Sequence, residues 1–236
     1  MYYGWRGKIG IIMPATGVAP EQEFHKYQPE GVATFTQRIL FERVTPDGLI
    51  ALADRAVEAS KTLATAGLDI IVFACTTGSL IKGYGYDKEL TKRIEDASGC
   101  KTITTSTAVL EALKALSAKR VLVTTPYSDE VNDIEKKFLE DNGFEVLSIR
   151  GLGYVDPTLM PKVTPDMMHR LNREILTPEA DTLFVSCTGI GIMDAIPLLE
   201  SDSQLPIVSS NQASLWAALR SISIHDELPI GKLLSL

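Results

Sequence analysis

Two stretches of this chain, set 112 positions apart from Cys75 to Cys187, carry almost the same pattern. Residues 69–79 read Asp-Ile-Ile-Val-Phe-Ala-Cys-Thr-Thr-Gly-Ser, and residues 181–191 read Asp-Thr-Leu-Phe-Val-Ser-Cys-Thr-Gly-Ile-Gly. In each, an Asp precedes an apolar run of strand length, followed by a small residue, Cys-Thr and glycine. A run with so little polar alternation suits a strand covered on both faces, as in a parallel sheet. Such a strand delivers its last residues to the carboxyl edge of the sheet, where open α/β sheets bind ligands. Two copies predict two similar halves facing each other across a cleft, with a thiol on either side.

The remainder of the chain alternates short apolar runs with helical patterns. Strands are expected over Lys8–Met13 (closed by Pro14), Ile70–Ala74, Thr102–Thr104, Arg120–Thr124, Glu145–Ile149, Thr182–Ser186 and Ile207–Ser209. Helices are expected from Thr45-Pro46-Asp47-Gly48 onward and over 88–97, 107–116, 129–142, 164–176, 194–201 and 213–220. Strands separated by helices imply right-handed βαβ units and parallel sheets. The fold class is therefore α/β: two pseudo-symmetric parallel-sheet domains, Rossmann- or flavodoxin-like, with the site in the cleft between them. A boundary near Ala118–Arg120 gives a first half of residues 1–117, to which the C-terminal helix of 213–236 returns, and a second half of 118–212.

Charge and cysteine usage exclude several classes of partner. The formal net charge of −7, without a basic stretch, argues against nucleic acid or an anionic membrane as partner. No apolar run approaches the roughly 20 residues of a membrane span, and the first eight residues lack the apolar region of a signal peptide. Three cysteines without framework spacing fit reduced thiols in a cytoplasm. The three histidines, His25, His169 and His225, form no metal-ligand cluster.

Cys75 and Cys187 are the candidate catalytic residues. A lone cysteine at a strand end often fills space, the reading kept here for Cys100; two at equivalent points of a repeat ask for another explanation. Backbone N–H groups and helix N-termini lower a thiol from about 8.5 toward neutrality, which would supply a thiolate. One thiolate can take a proton alpha to a carboxylate, or attack a conjugated carbon, while the facing thiol delivers a proton. The resulting enediolate needs donors at its oxygens. Thr76, Thr77, Thr188 and the amides around Gly78 and Gly189 are candidates, with an anion site added if helices begin directly after both turns.

Tyr127, in Thr124-Thr125-Pro126-Tyr127-Ser128, reaches the same edge and either donates to a carboxylate or packs under its loop. Ser209-Ser210-Asn211-Gln212 offers donors too, although helix capping explains it as well. Thr16, in Pro14-Ala15-Thr16-Gly17, can line the cleft or simply sit in a tight turn. Gly83-Tyr84-Gly85-Tyr86 is not a dinucleotide fingerprint, and there is no Walker loop. Neither a cofactor nor a metal is expected.

At these residues the chain resembles the aspartate/glutamate racemase superfamily, and more narrowly its branch of maleate cis-trans isomerases and arylmalonate decarboxylases. The resemblance spans nearly the whole length. It is carried by Ala74-Cys75-Thr76-Thr77-Gly78, Ser106-Thr107-Ala108-Val109, Thr125–Asn132, Ser186-Cys187-Thr188-Gly189 and Val208–Trp216. It implies two pseudo-symmetric domains and cofactor-free chemistry with two opposed cysteines. In the isomerases, the cysteine at the Cys75 position attacks the double bond of maleate and that at the Cys187 position moves the proton. In the decarboxylases the Cys75 position is glycine, and the cysteine matching Cys187 protonates the enediolate left after CO₂ loss. In that group the positions matching Thr76, Thr77 and Tyr127 bind carboxylate. The isomerases carry asparagines where this chain has Thr16-Gly17 and Tyr154-Val155-Asp156, and the Pro14–Pro20 segment looks more like the decarboxylases.

The expected activity is that of a cofactor-independent isomerase or racemase of a small carboxylate, most simply a dicarboxylate, in a cytoplasmic homo-oligomer (dimer or tetramer). A decarboxylase-like lyase using Cys187 alone is the alternative. A non-catalytic carboxylate binder is the rival from another class, and a redox role lacks a Cys-x-x-Cys.

Overall fold

Each copy of the repeated segment folds as a four-residue strand, β3 (Ile70–Phe73) and β7 (Thr182–Val185), with every residue buried. The computed structural model describes residues 2–236; Met1, the nominal start of the first half, lies outside them. The first half runs β1 (Gly7–Pro14), α1 (Ala19–Tyr27), β2 (Val32–Ile39), α2 (Pro46–Ala64), β3, α3 (Thr76–Leu80), α4 (Tyr86–Ser98), β4 (Thr102–Thr104) and α5 (Thr105–Ala115). The second runs β5 (Arg120–Tyr127), α6 (Asp129–Asp141), β6 (Glu145–Tyr154), a 3₁₀ segment (Pro157–Lys162), α7 (Pro165–Ile175), β7, α8 (Ile196–Ser203), β8 (Ile207–Ser209) and α9 (Ser210–Ser221).

The two sheets have the same topology. Their orders are β2-β1-β3-β4 and β6-β5-β7-β8, with every pairing parallel. Ile9 pairs with Ile70 in the first, and Val121 with Thr182 in the second. The repeated Asp explains part of the match. Asp69 accepts the Lys8 amide at 2.8 Å, while Asp181 accepts the amides of Lys119 and Arg120, the latter at 2.9 Å. In each half the Asp before the third strand thus secures the start of the first strand, one residue before those two strands begin to pair. Two four-stranded parallel sheets flanked by helices are the α/β architecture expected from the sequence.

Element ends follow local chemistry. Thr45 caps α2, its hydroxyl accepting from the Gly48 amide at 3.4 Å. Helix α9 starts three residues earlier than the apolar pattern indicates, because Ser209 and Gln212 form a reciprocal capping box. It lies along α5 and reaches strands of both sheets. Among the described residues no helix is long and apolar enough to cross a membrane.

Besides the short α3 and the 3₁₀ segment, α1 and β2 are absent from the ranges expected from the sequence. Strand β2 is an edge strand whose residues Phe35, Thr36, Gln37 and Arg38 are not buried, so it lacks the apolar run of its neighbours. Helix α1 is polar on most of its surface, and its significance lies in Glu23. This buried carboxylate accepts from the amides of Ile192 and Met193, both at 2.8 Å, and from Asn211 Nδ2 at 2.6 Å. It ties the first half to the loop after Cys187.

Burial moves the Glu23 carboxyl up to about 7, against those three bonds. A carboxyl raised in the fold favours the protonated state, so its contribution is fullest below its unfolded value near 4.5 and is lost as pH rises through 7. From that shift, stability should fall by about 3 kcal/mol between pH 4.5 and 7.5 on account of this group. Glu23→Gln should flatten the pH dependence measured by urea unfolding; equal slopes in the two proteins would refute this. The slope is the readout, since the amide also loses a bond to Asn211.

Candidate active site

In a sheet ordered β2-β1-β3-β4, successive connections leave in opposite directions between β1 and β3, opening a crevice at the carboxyl ends of those strands. The second sheet does the same between β5 and β7. The loops at these four ends converge. Thr16 follows β1, Cys75 and Thr77 follow β3, Tyr127 ends β5, and Cys187, Thr188 and Gly189 follow β7. All seven line one cavity of about 40 Å³. Its apolar wall comes from Phe41 and Val44 after β2, and from Pro157 and Met160 after β6, again equivalent loops. These loops clasp each other through the Val44 amide, which donates to Val155 O at 3.0 Å.

Cys75 is the N-cap of α3, in extended conformation, and is buried. The Gly78 amide and the Thr77 hydroxyl act on its sulfur by favouring the charged form. Gly78 is glycine for a local reason: a Cβ there would stand 3.0 Å from this sulfur. Cys187 is held differently. Its φ is +118°, a region that L-residues rarely occupy and that costs on the order of 1–3 kcal/mol. Two bonds hold that corner: its amide donates to Ser210 Oγ at 3.0 Å, and the Gly189 amide donates to its sulfur at 3.3 Å. No helix begins here, unlike after Cys75, so the expected pair of helix starts is realised only once.

Tyr127 is buried, and its hydroxyl acts on the Cys187 thiol by favouring the charged form. Placing it takes an irregularity in β5, where the register with β6 shifts between Thr125 and Tyr127. The Tyr127 amide donates to Thr125 Oγ1 at 3.0 Å, and Thr125 in turn donates to Asn132 Oδ1 at 2.6 Å.

The thiols do not shift as the sequence suggests. Burial pushes Cys75 up to about 11, outweighing Gly78 and Thr77. Burial pushes Cys187 up to about 12, against Tyr127 and Gly189, with charge on Cys75 adding to the rise. The donors expected to create a thiolate are present, but removal from water wins. Both sulfurs are thiols at neutral pH in the closed site, and all three cysteines are free.

Thr76 and Thr188 prove to have a bracing geometry. Thr76 is not on the cavity wall; its hydroxyl donates to Ser210 Oγ at 2.8 Å, the same oxygen that receives the Cys187 amide. Thr188 lines the cavity, but its hydroxyl proton goes to Ala74 O at 3.1 Å. One tie thus crosses from each cysteine's neighbour to the other half, and the two fix where the sulfurs stand. The hydroxyls of Thr16, Thr77 and Tyr127 remain on the wall. Of the segment 209–212, Ser209 and Gln212 cap, Ser210 receives the crossing bonds, and Asn211 holds Thr188 O at 3.0 Å. Cys100 lies away from the cavity, its thiol directed to Leu68 O at 3.5 Å.

Sequence reasoning missed the apolar wall, and it named Ser210 as a donor without foreseeing that it receives the bonds from Thr76 and Cys187. The repeat held a signal for the former: β6 precedes one wall loop, so an equivalent strand before Phe41 follows from symmetry.

The chain is 31% identical over 215 residues to arylmalonate decarboxylase of Bordetella bronchiseptica, covering 90% of this chain and 89% of the relative. It is 24% identical to maleate isomerase of Pseudomonas putida, covering 97% of each. Among solved structures, the maleate cis-trans isomerase of Nocardia farcinica with a covalently bound succinylcysteine intermediate superposes with a TM-score of 0.92 at 22% identity, covering 97% of this chain and 98% of that one. With residues 9–234 matching the family model described as arylmalonate decarboxylase, the chain belongs to the arylmalonate decarboxylase family, whose fold the maleate isomerases share.

Proposed function

We propose that this protein is a cofactor-independent isomerase or racemase of a small carboxylate, maleate cis-trans isomerase-like, with Cys75 and Cys187 acting on opposite sides of one bound molecule. The observation that carries this is the presence of both thiols on the wall of a single cavity, each steadied by a tie from the opposite half. Hydroxyls of Thr16, Thr77 and Tyr127, with the amides near Gly189, receive the carboxylate as charge builds on it. The carbon skeleton lies against Phe41, Val44, Pro157 and Met160. The reduced thiols this requires suit a cytoplasmic setting.

For a substrate with an acidic α-hydrogen, the Cys75 thiolate takes that proton and the electron pair enters the carboxylate as an enediolate. The Cys187 thiol then returns a proton to the other face. For a cis-alkene dicarboxylate, the Cys75 sulfur adds to one alkene carbon and Cys187 protonates its neighbour. Rotation about the new single bond, loss of that proton to Cys187 and departure of Cys75 give the trans isomer. The succinylcysteine in the Nocardia farcinica structure is the kind of adduct such an addition leaves. Ionising Cys75 at pH 7 from its value of about 11 costs about 5 kcal/mol, so substrate binding must favour the thiolate. Cys187, higher still, is the resting proton donor.

The test is turnover in D₂O without added cofactor, followed by NMR, with maleate, aspartate, glutamate and an arylmalonate. Isomerisation or α-deuteration is expected for at least one, and inertness of all four would sink the reading. A second reading, decarboxylation with Cys187 as the proton donor, is favoured by the apolar wall and by the Bordetella bronchiseptica relative. It predicts CO₂ release from the arylmalonate and no need for Cys75.

A further inference from the structure

Glu135 stands on the inward face of α6 beside Val131, Phe138 and Leu139 and is completely buried. The chemistry described above gives it no task. Its Oε1 accepts from the Ser186 hydroxyl at 2.6 Å, and Ser186 immediately precedes Cys187. Its Oε2 is sealed from solvent without a hydrogen-bond partner. The cations nearest in sequence are engaged elsewhere: Lys136 with Glu140 and Lys137 with Asp141. Arg150, on the adjoining strand β6, pairs with Glu174. A carboxylate so isolated is an unfavourable charge, avoided by keeping its proton.

The titratable groups that face it are few. From β5 comes the Tyr127 phenol, and from the tip of β7 the Cys187 thiol; charge on Glu135 raises both. Cys75 stands beyond them across the cavity, and α3, which packs on α6, presents only the hydroxyls of Thr76, Thr77 and Ser79. Burial brings the Glu135 carboxyl up to about 7, so its charge changes near neutral pH.

We propose that Glu135 is a positioning residue for Cys187: it anchors Ser186 at the strand tip and, through its own charge, governs how readily the adjacent thiol ionises. Neutral, it leaves the Cys187 thiolate accessible; ionised, it opposes a second negative charge in the same dry pocket. The inference rests on reading Cys187 as a proton-transferring thiol, yet its test does not depend on turnover.

The experiment measures alkylation of Cys187 by iodoacetamide in the full chain, followed by peptide mass spectrometry at pH 6 and pH 8.5. Glu135→Gln keeps the shape and removes the charge. At pH 6 its labelling rate should match the wild type within about twofold, and at pH 8.5 exceed it by about threefold to tenfold. Ser186→Ala leaves the carboxyl but removes the one bond that favours its charged form, so it should move the same way by a smaller factor. On any substrate that is turned over, the fall in kcat/KM on the alkaline side should be shallower in Glu135→Gln. A ratio of variant to wild-type rates that is the same at both pH values would mean a purely structural carboxyl and overturn the proposal. If none of the carboxylates reacts while the ratio still changes with pH, the functional reading fails and this one stands.

Discussion

Cys187→Ala is expected to lower turnover by about 10²–10⁴-fold, the usual contribution of a positioned proton donor, with much less effect on KM. In the proposed mechanism the sulfur carries the transferred proton, whereas the carboxylate is held by hydroxyls and amides that the substitution leaves in place. The backbone supplies a control. Cys187 sits at φ +118°, which glycine adopts freely and alanine does not. Cys187→Gly should therefore be as inactive as Cys187→Ala but more stable, by about 1 kcal/mol in urea unfolding. That combination would show that the fold tolerates a strained corner in order to present a sulfur. Retention of more than a tenth of wild-type turnover in Cys187→Ala would remove this thiol from the reaction.

Cys75→Ser is the second large effect. Serine nearly preserves the volume, yet its hydroxyl ionises far less readily and is a poorer nucleophile. Isomerisation or racemisation should drop by about 10²–10⁴-fold. The outcome separates the two activities of the site. An alkene isomerase or a racemase needs groups on both faces, whereas a decarboxylase that protonates an enediolate from one side does not. Unchanged decarboxylation of an arylmalonate by Cys75→Ser, together with its loss in Cys187→Ala, would transfer the assignment to the lyase. Circular dichroism of both variants must match the wild type for the comparison to hold.

The architecture was largely legible because its signals are local or repeated. Buried strands announce themselves as unbroken apolar runs, helix starts by residues such as Thr45, and the duplicated Cys segments by their own likeness. Strand β2 was not legible, since an edge strand with one solvated side need not be apolar. Glu135 was hidden for the opposite reason: in α6 its neighbours Glu130, Asp133, Lys136 and Lys137 face solvent, and nothing in the string marks Glu135 as the acid that does not. The direction of the thiol shifts was also out of reach. Sequence shows that Gly78, Thr77 and Gly189 can donate, but not how completely water is excluded, and here exclusion is the larger effect.

By itself, the order of residues determined the doubling of the fold, the strand tips on which the cysteines ride and the kind of chemistry they permit, because each depends on neighbours a few positions away. Only the tertiary structure decided that Thr76 and Thr188 brace the two halves, that Phe41, Val44, Pro157 and Met160 close one side of the cavity, and that both sulfurs keep their protons at rest. Those outcomes depend on distance and dielectric between segments a hundred residues apart, and no local pattern encodes either.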